Sequence, residues 1–139
     1  MIEYHYETDF KLDKEENYSS WLNNLASSEG KTISQINYIF CDDSYLLELN
    51  IKHLNHNTLT DILTFDYAVG SDIVADIFIS VERVTDNAED LGVIFEDELL
   101  RVMAHGVLHI IGYKDKTAEE SVMMREKEEE KIKMFHVEQ

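Results

Sequence analysis

The sequence predicts a single α/β domain. Short runs of alternating or β-branched apolar residues are separated by segments of helical period, and no repeat or linker divides the chain. The 139 residues can bury one sizeable core, which points to one domain spanning 1–139. Proline is absent, so glycines and Asn/Asp clusters act as the punctuation.

Ile2 to Tyr6 alternates apolar and polar residues, as a strand with one buried face does. Asp13 with Glu16 has the spacing of a capping box for a helix through Trp21, Leu22 and Leu25, ending near Gly30. Ile33 to Phe40 reads as a strand. Asp42 or Asp43 then caps a helix carrying Leu46, Leu47, Leu49 and Ile51, and a polar stretch runs from Asn55 to Thr60. Ile62 to Tyr67 and Ile73 to Ser80 are further strands, separated by Gly70 and Ser71, and a polar segment leads to a helix around Val81 to Leu91. From Phe95 to Ile111, apolar residues lie on nearly every side, the mark of a buried helix, and Gly112 is placed to end it. Thr117 with Glu120 is a second capping box, opening a charged final helix whose Lys and Glu residues read as a solvated face.

Composition excludes several classes. Apolar residues make up 44% of the chain, and no stretch reaches the roughly 20 apolar residues of a membrane span, so no membrane role is expected. The start, with Glu3, Glu7 and Asp9, lacks the basic residues and apolar run of a secretory signal. The single cysteine, Cys41, reads as a small buried hydrophobe at a strand end and fits a reducing cytoplasm. Twelve Lys and Arg against 29 Asp and Glu give a net charge of -17, which repels a polyanion at long range unless local charge differs in sign.

The chemistry concentrates in one place. His105 and His109 are four residues apart, so at ~3.6 residues per turn they project from one face of the Phe95 to Ile111 helix. Two imidazoles side by side in so apolar a segment are costly without partners, and a shared metal answers that cost. Asp115, just past the Gly112 turn, folds back to complete an H-x-x-x-H-x-x-x-x-x-D set, the lesser alternative being a turn residue near the cap of the last helix. Three protein ligands leave a coordination position open, as in catalytic rather than structural zinc. The residue after the first histidine is Gly106, where H-E-x-x-H peptidases carry their general base, so peptidase chemistry is disfavoured. Arg101 and Glu98 share the histidine-bearing side, either orienting ligands or pairing at the surface. His136 and Asp61 are the alternative third ligands.

The run His105-Gly106-Val107-Leu108-His109-Ile110-Ile111-Gly112-Tyr113 resembles the signature of the YbeY family of bacterial rRNA-maturation endoribonucleases, an HGxLHxxGYDH segment with three metal-binding histidines. Asn50, Thr60 to Phe65 and Ala75-Asp76-Ile77 resemble that family's LN, TDVLSF and GDI segments. The resemblance implies a compact α/β/α fold with a small mixed sheet of about four strands and a buried metal-binding helix. It also implies one zinc-like ion and cleavage of single-stranded rRNA, with the ribosome or a ribosome-associated protein as partner. It makes Thr60 and Asp61 pocket residues. Two positions depart from the pattern: the third histidine is replaced by Asp115, and an arginine four residues after Asn50 is replaced by Leu54. Lys52, His53 or His56 could restore the missing positive charge. Two other readings stay open: a ribosome-assembly factor with a non-catalytic metal, and an iron oxygenase with two histidines and one carboxylate.

Overall fold

The computed structural model describes residues 1–68 and 70–138. In order, the elements are β1 (Ile2–Tyr6), α1 (Glu15–Ser28), β2 (Thr32–Cys41), α2 (Asp43–Leu54), β3 (Ile62–Asp66), β4 (Asp72–Ser80), α3 (Val81–Leu91), α4 (Phe95–Ile111) and α5 (Ala118–Glu138). The four strands form one mixed sheet in the order β1-β2-β4-β3, in which β1, β2 and β4 are parallel and β3 runs antiparallel along β4. The expected α/β fold with a small mixed sheet is therefore present.

Alternation along the strands gives the sheet two unlike faces. Ile36, Tyr38 and Phe40 of β2 and Ala75, Ile77 and Ile79 of β4 join α1, α4 and α5 in the main core. The Tyr38 hydroxyl, fully buried there, donates to the Met103 carbonyl at 3.1 Å, which removes the penalty of an unpaired polar group. On the other face, Cys41, Leu63, Phe65 and Phe78 meet Leu46 and Leu49 of α2 in a smaller cluster. Cys41 ends β2 fully buried, and burial pushes its thiol up to about 12, consistent with a packing role. Beyond α2, that face is polar, with His5 and Asp76 both bonded to Asn37.

Helix ends test the expected caps. Asp42 caps α2 by accepting from the Tyr45 amide at 2.8 Å, and Thr117 and Glu120 exchange bonds of 3.1 and 3.0 Å at the start of α5. The Asp13–Glu16 box does not form: Lys14 takes the cap position in a left-handed conformation, with no side chain bonded to the helix start. No polar segment joins β4 to α3, because Ser80 ends the strand and itself caps the helix, accepting from the Arg83 amide at 3.2 Å. Gly112 closes α4 at φ 131°, a value that L side chains rarely adopt, and ends the helix.

The final helix is not simply a solvated face. Glu128 and Lys131 are 2% and 1% exposed, in phase with buried Met124 and Phe135. Lys131 bonds Ser28 and Glu29 at 2.8 Å each, and its carbonyl accepts from the Trp21 indole at 2.7 Å. Such a stripe does not register in the sequence as an apolar face, because half of it is charged.

Candidate metal centre and active-site cleft

The chain brings His105, His109 and Asp115 to one cleft of about 430 Å³, lined also by Leu54 and residues Thr60, Asp61, Ile62, Leu63 and Thr64. Its walls have two origins. Helix α4 supplies the histidines, and β3 with the segment before it supplies the opposite wall. Gly106 lets these approach: a Cβ there would lie 2.9 Å from Ile62 Cδ1 and 3.4 Å from two Ile77 methyl carbons. The absence of a glutamate after His105 thus has a packing reason as well as a chemical consequence.

The approach to β3 is set from α2. Asn50, 3% exposed, donates from Nδ2 to the Thr58 carbonyl at 3.0 Å, and its own carbonyl accepts from the His56 amide at 3.3 Å. These bonds tie the segment leading to Thr60 and Asp61 onto the end of α2. The Asp61 carbonyl accepts from the Ser80 amide at 2.9 Å, and the Thr60 hydroxyl donates to the Ile62 carbonyl at 3.4 Å.

His105 and His109 stand one turn apart with rings 5° from parallel and centroids 6.5 Å apart. His105 Nε2 lies 3.4 Å from Asp115 Oδ2. Both rings are less enclosed than the apolar segment suggested: His105 is partly buried and His109 exposed, because they occupy the cleft side of a helix whose other sides are covered. Burial cost therefore does not by itself demand a metal here; the shared cleft and donor chemistry make the stronger case. Among the described residues, no three His, Cys, Asp or Glu side chains converge as a ready-made metal site. Even so, two imidazoles and a carboxylate line one cavity, and one imidazole is held by a carboxylate behind it, a donor set that fits a divalent metal.

That carboxylate belongs to Glu128. Its Oε2 is 2.6 Å from His105 Nδ1, and its Oε1 is 3.4 Å from Arg101 Nη1. Arg101 also donates to both oxygens of Glu98, at 2.8 and 2.5 Å, and lies 3.9 Å from Asp61. Glu98 and Glu128 are each 2% exposed, while Arg101 keeps 19% of its side chain exposed, so both carboxylates are buried beside a half-buried guanidinium. Those bonds to Glu98 lift the Arg101 pKa above its ordinary value. Burial lifts the Asp61 carboxyl above its ordinary value, against the pull of Arg101 and His105. A smaller cavity of about 170 Å³ on the far side of His105 is lined by Arg101, Asp115, Ser121, Met124, Arg125 and Glu128.

The other predicted positions fall elsewhere. Leu54, at the position of the family's arginine, faces the cleft, whereas His53 packs edge-on against Phe65 at 5.9 Å, and Lys52 and His56 are exposed outside its lining. His136 sits 3.9 Å from Asp97 at the far end of α4.

The model of the family "Endoribonuclease YbeY" matches residues 2–136. The chain belongs to the YbeY family. It is 58% identical over 139 residues to the Endoribonuclease YbeY of Flavobacterium johnsoniae, covering all of both chains. It is 49% identical over 138 residues to that of Christiangramia forsetii, covering 99% of this chain and 96% of the relative. The solution structure of TM1509 from Thermotoga maritima matches with a TM-score of 0.70 at 28% identity, covering 99% of this chain and 91% of that one. Among the described residues, no helix is long and apolar enough to cross a membrane.

Sequence reasoning missed Glu128 and Arg125, which come to the site from α5. One signal was available: Met124, Glu128, Lys131 and Phe135 follow the four-three-four spacing of a single helix face.

Proposed function

We propose that this protein is a metal-dependent, single-strand-specific endoribonuclease acting in the cytoplasm on rRNA during ribosome maturation and quality control. The observation that carries the reading is that His105, His109 and Asp115 line one cleft together with Asp61, in a chain of this family. The whole of 1–139 acts as one domain. His105, His109 and Asp115 hold the ion, and zinc suits two imidazoles and a carboxylate with a position left open. When bound, such an ion supplies Lewis acidity toward a phosphoryl oxygen and makes an attacking oxygen more acidic.

The protein's own residues orient the reactants and handle protons. The Asp61 carboxyl, lifted by burial, is a cleft group able to take up and return a proton at its Oδ atoms. Leu63 and Leu54 give the cleft an apolar part of its lining. Among the described residues no lysine or arginine lines the main cleft, so Arg125, beside the smaller cavity, is the phosphate contact we assign. With a net charge of -17, encounter with RNA depends on a ribosomal surface or ribosome-associated protein to hold the enzyme against its substrate.

The test combines zinc titration with cleavage of a single-stranded RNA, with and without chelator. Cleavage should require metal and show a shallow salt dependence, about one unit of log-log slope per phosphate contact. Asp115→Ala should weaken zinc binding markedly. Asp115→His should retain zinc and shift the pH–rate profile to lower pH, because a neutral ligand leaves more charge on the ion. Unchanged zinc affinity in Asp115→Ala would remove Asp115 from the ligand set and make Asp61 the next ligand to test. Zinc binding without RNA cleavage would favour the assembly-factor reading, and iron-dependent oxygen consumption the oxygenase.

A further inference from the structure

The structure assigns Glu128 as a positioning residue: from α5 it fixes the tautomer and ring orientation of His105, so that Nε2 presents its lone pair to the cleft. The inference rests on the metal reading above for its consequence but not for its geometry.

Glu128 is 2% exposed on the helix that packs across α4. Its two oxygens have different work. Oε2 meets His105 Nδ1 at 2.6 Å, and Oε1 faces Arg101 Nη1 at 3.4 Å. With Oε1 facing the Arg101 guanidinium as acceptor, Oε2 is left to accept from the ring. Nδ1 of His105 must then carry the proton. Nε2 is left as the free acceptor, and it is the atom 3.4 Å from Asp115 Oδ2 at the cleft wall. A carboxylate behind a ligating imidazole holds the ring in place and increases its basicity.

His109 differs. No protein hydrogen bond to its ring is found among the described residues, and its exposure leaves it free to rotate. His105 is therefore the prearranged half of the pair, and His109 and Asp115 are the donors that adjust. The two rings lie 6.5 Å apart, and the three donors do not form a closed cluster among the described residues. It also makes the docking of α5 part of the site, although all three proposed ligands precede that helix in the chain.

Glu98 supplies the control. It is as buried as Glu128 and grips the same Arg101, but it has no bond to His105. A role confined to the buried charge network should make the two glutamates equivalent, whereas a positioning role should separate them.

The experiment has two readouts. In metal-free protein, long-range ¹H–¹⁵N spectra report the protonated nitrogen of each imidazole. His105 should show a protonated Nδ1 and bare Nε2 in the parent, and a mixture in Glu128→Ala. Zinc affinity by calorimetry should fall about 10- to 100-fold in Glu128→Ala. It should fall less in Glu128→Gln, which keeps an acceptor without the charge, and least in Glu98→Gln. Glu128→Gln, nearly isosteric, serves if Glu128→Ala does not fold. Protonation on Nε2 in the parent would overturn the assignment without any variant, and so would equal losses in Glu98→Gln and Glu128→Gln. Failure of the parent to bind zinc would instead sink the metal reading and leave the tautomer result standing.

Discussion

Helix α5 buries charge at two places, and the two clusters differ in how that charge is compensated. On one side, Lys131 and Lys127 face Glu29 and Glu130, with the Tyr113 hydroxyl donating to Glu29 at 2.6 Å. Two ammonium groups meet two carboxylates, and the cluster is balanced. On the cleft side, the Arg101 guanidinium meets Glu98, Glu128 and Asp61, with Asp115 nearby against His105. Carboxylates outnumber guanidinium there. Buried charge is tolerated when it is paired, so the first cluster is complete as it stands, whereas in the second the contacts of Arg101 are shared among three carboxylates. One cluster staples the helix, and the other borders the cleft.

The largest effect that would break this contrast is metal linkage. Zinc at about a thousand times its Kd should raise the unfolding free energy by about 4 kcal/mol. His105→Ala should erase that increment while leaving the secondary structure in place, and Lys131→Met should leave it intact. Denaturant unfolding with and without zinc measures all three. Loss of the increment in Lys131→Met would show that the two clusters are not separate.

Next in size is the staple itself. Lys131→Met removes one partner of a buried pair and should cost about 3 kcal/mol. The pH dependence sharpens the point. Burial alone would raise the Glu29 carboxyl, but its bonds with Lys131 and Tyr113 outweigh that and hold it below its ordinary value of 4.5. Its contribution to stability is therefore present above 4.5 and is lost as the pH falls through the lower, folded-state value. The gap in stability between parent and Lys131→Met should narrow from about pH 6 to about pH 3, as urea unfolding at a series of pH values would register. A constant gap would mean that Glu29 does not depend on Lys131 for its charge.

The smallest effect concerns the seat of α4. Gly106→Ala gains about 1 kcal/mol of helix propensity and spends it displacing the terminal methyl of Ile62, so net stability should stay within about 1 kcal/mol of the parent. The change should instead be felt in the cleft, which Ile62 lines. A thermal unfolding comparison suffices, and a loss of about 3 kcal/mol would show that β3 cannot yield.

Much of this protein was decided by sequence alone, where the deciding forces are local. Alternation in β1 and β2, the Asp42 and Thr117 caps and the Gly112 stop depend on neighbours within a turn or two, and they were readable. So was the spacing that puts His105 and His109 on one helix side. The Asp13–Glu16 pair had the right spacing and failed, because the backbone at Lys14 entered the helix by a left-handed route.

Tertiary structure decided the rest, since it depends on which surfaces meet. Only packing of α5 on α4 turned Glu128 from one of many glutamates in a charged tail into the partner of His105, and Lys131 into a buried staple. Only the crossing of α4 over β3 explained Gly106 and put Leu54, rather than Lys52, His53 or His56, at the cleft. A helix records its own period in the sequence, but a contact between distant segments leaves its mark in two places at once. When that contact is made by a charged residue, hydropathy does not reveal it.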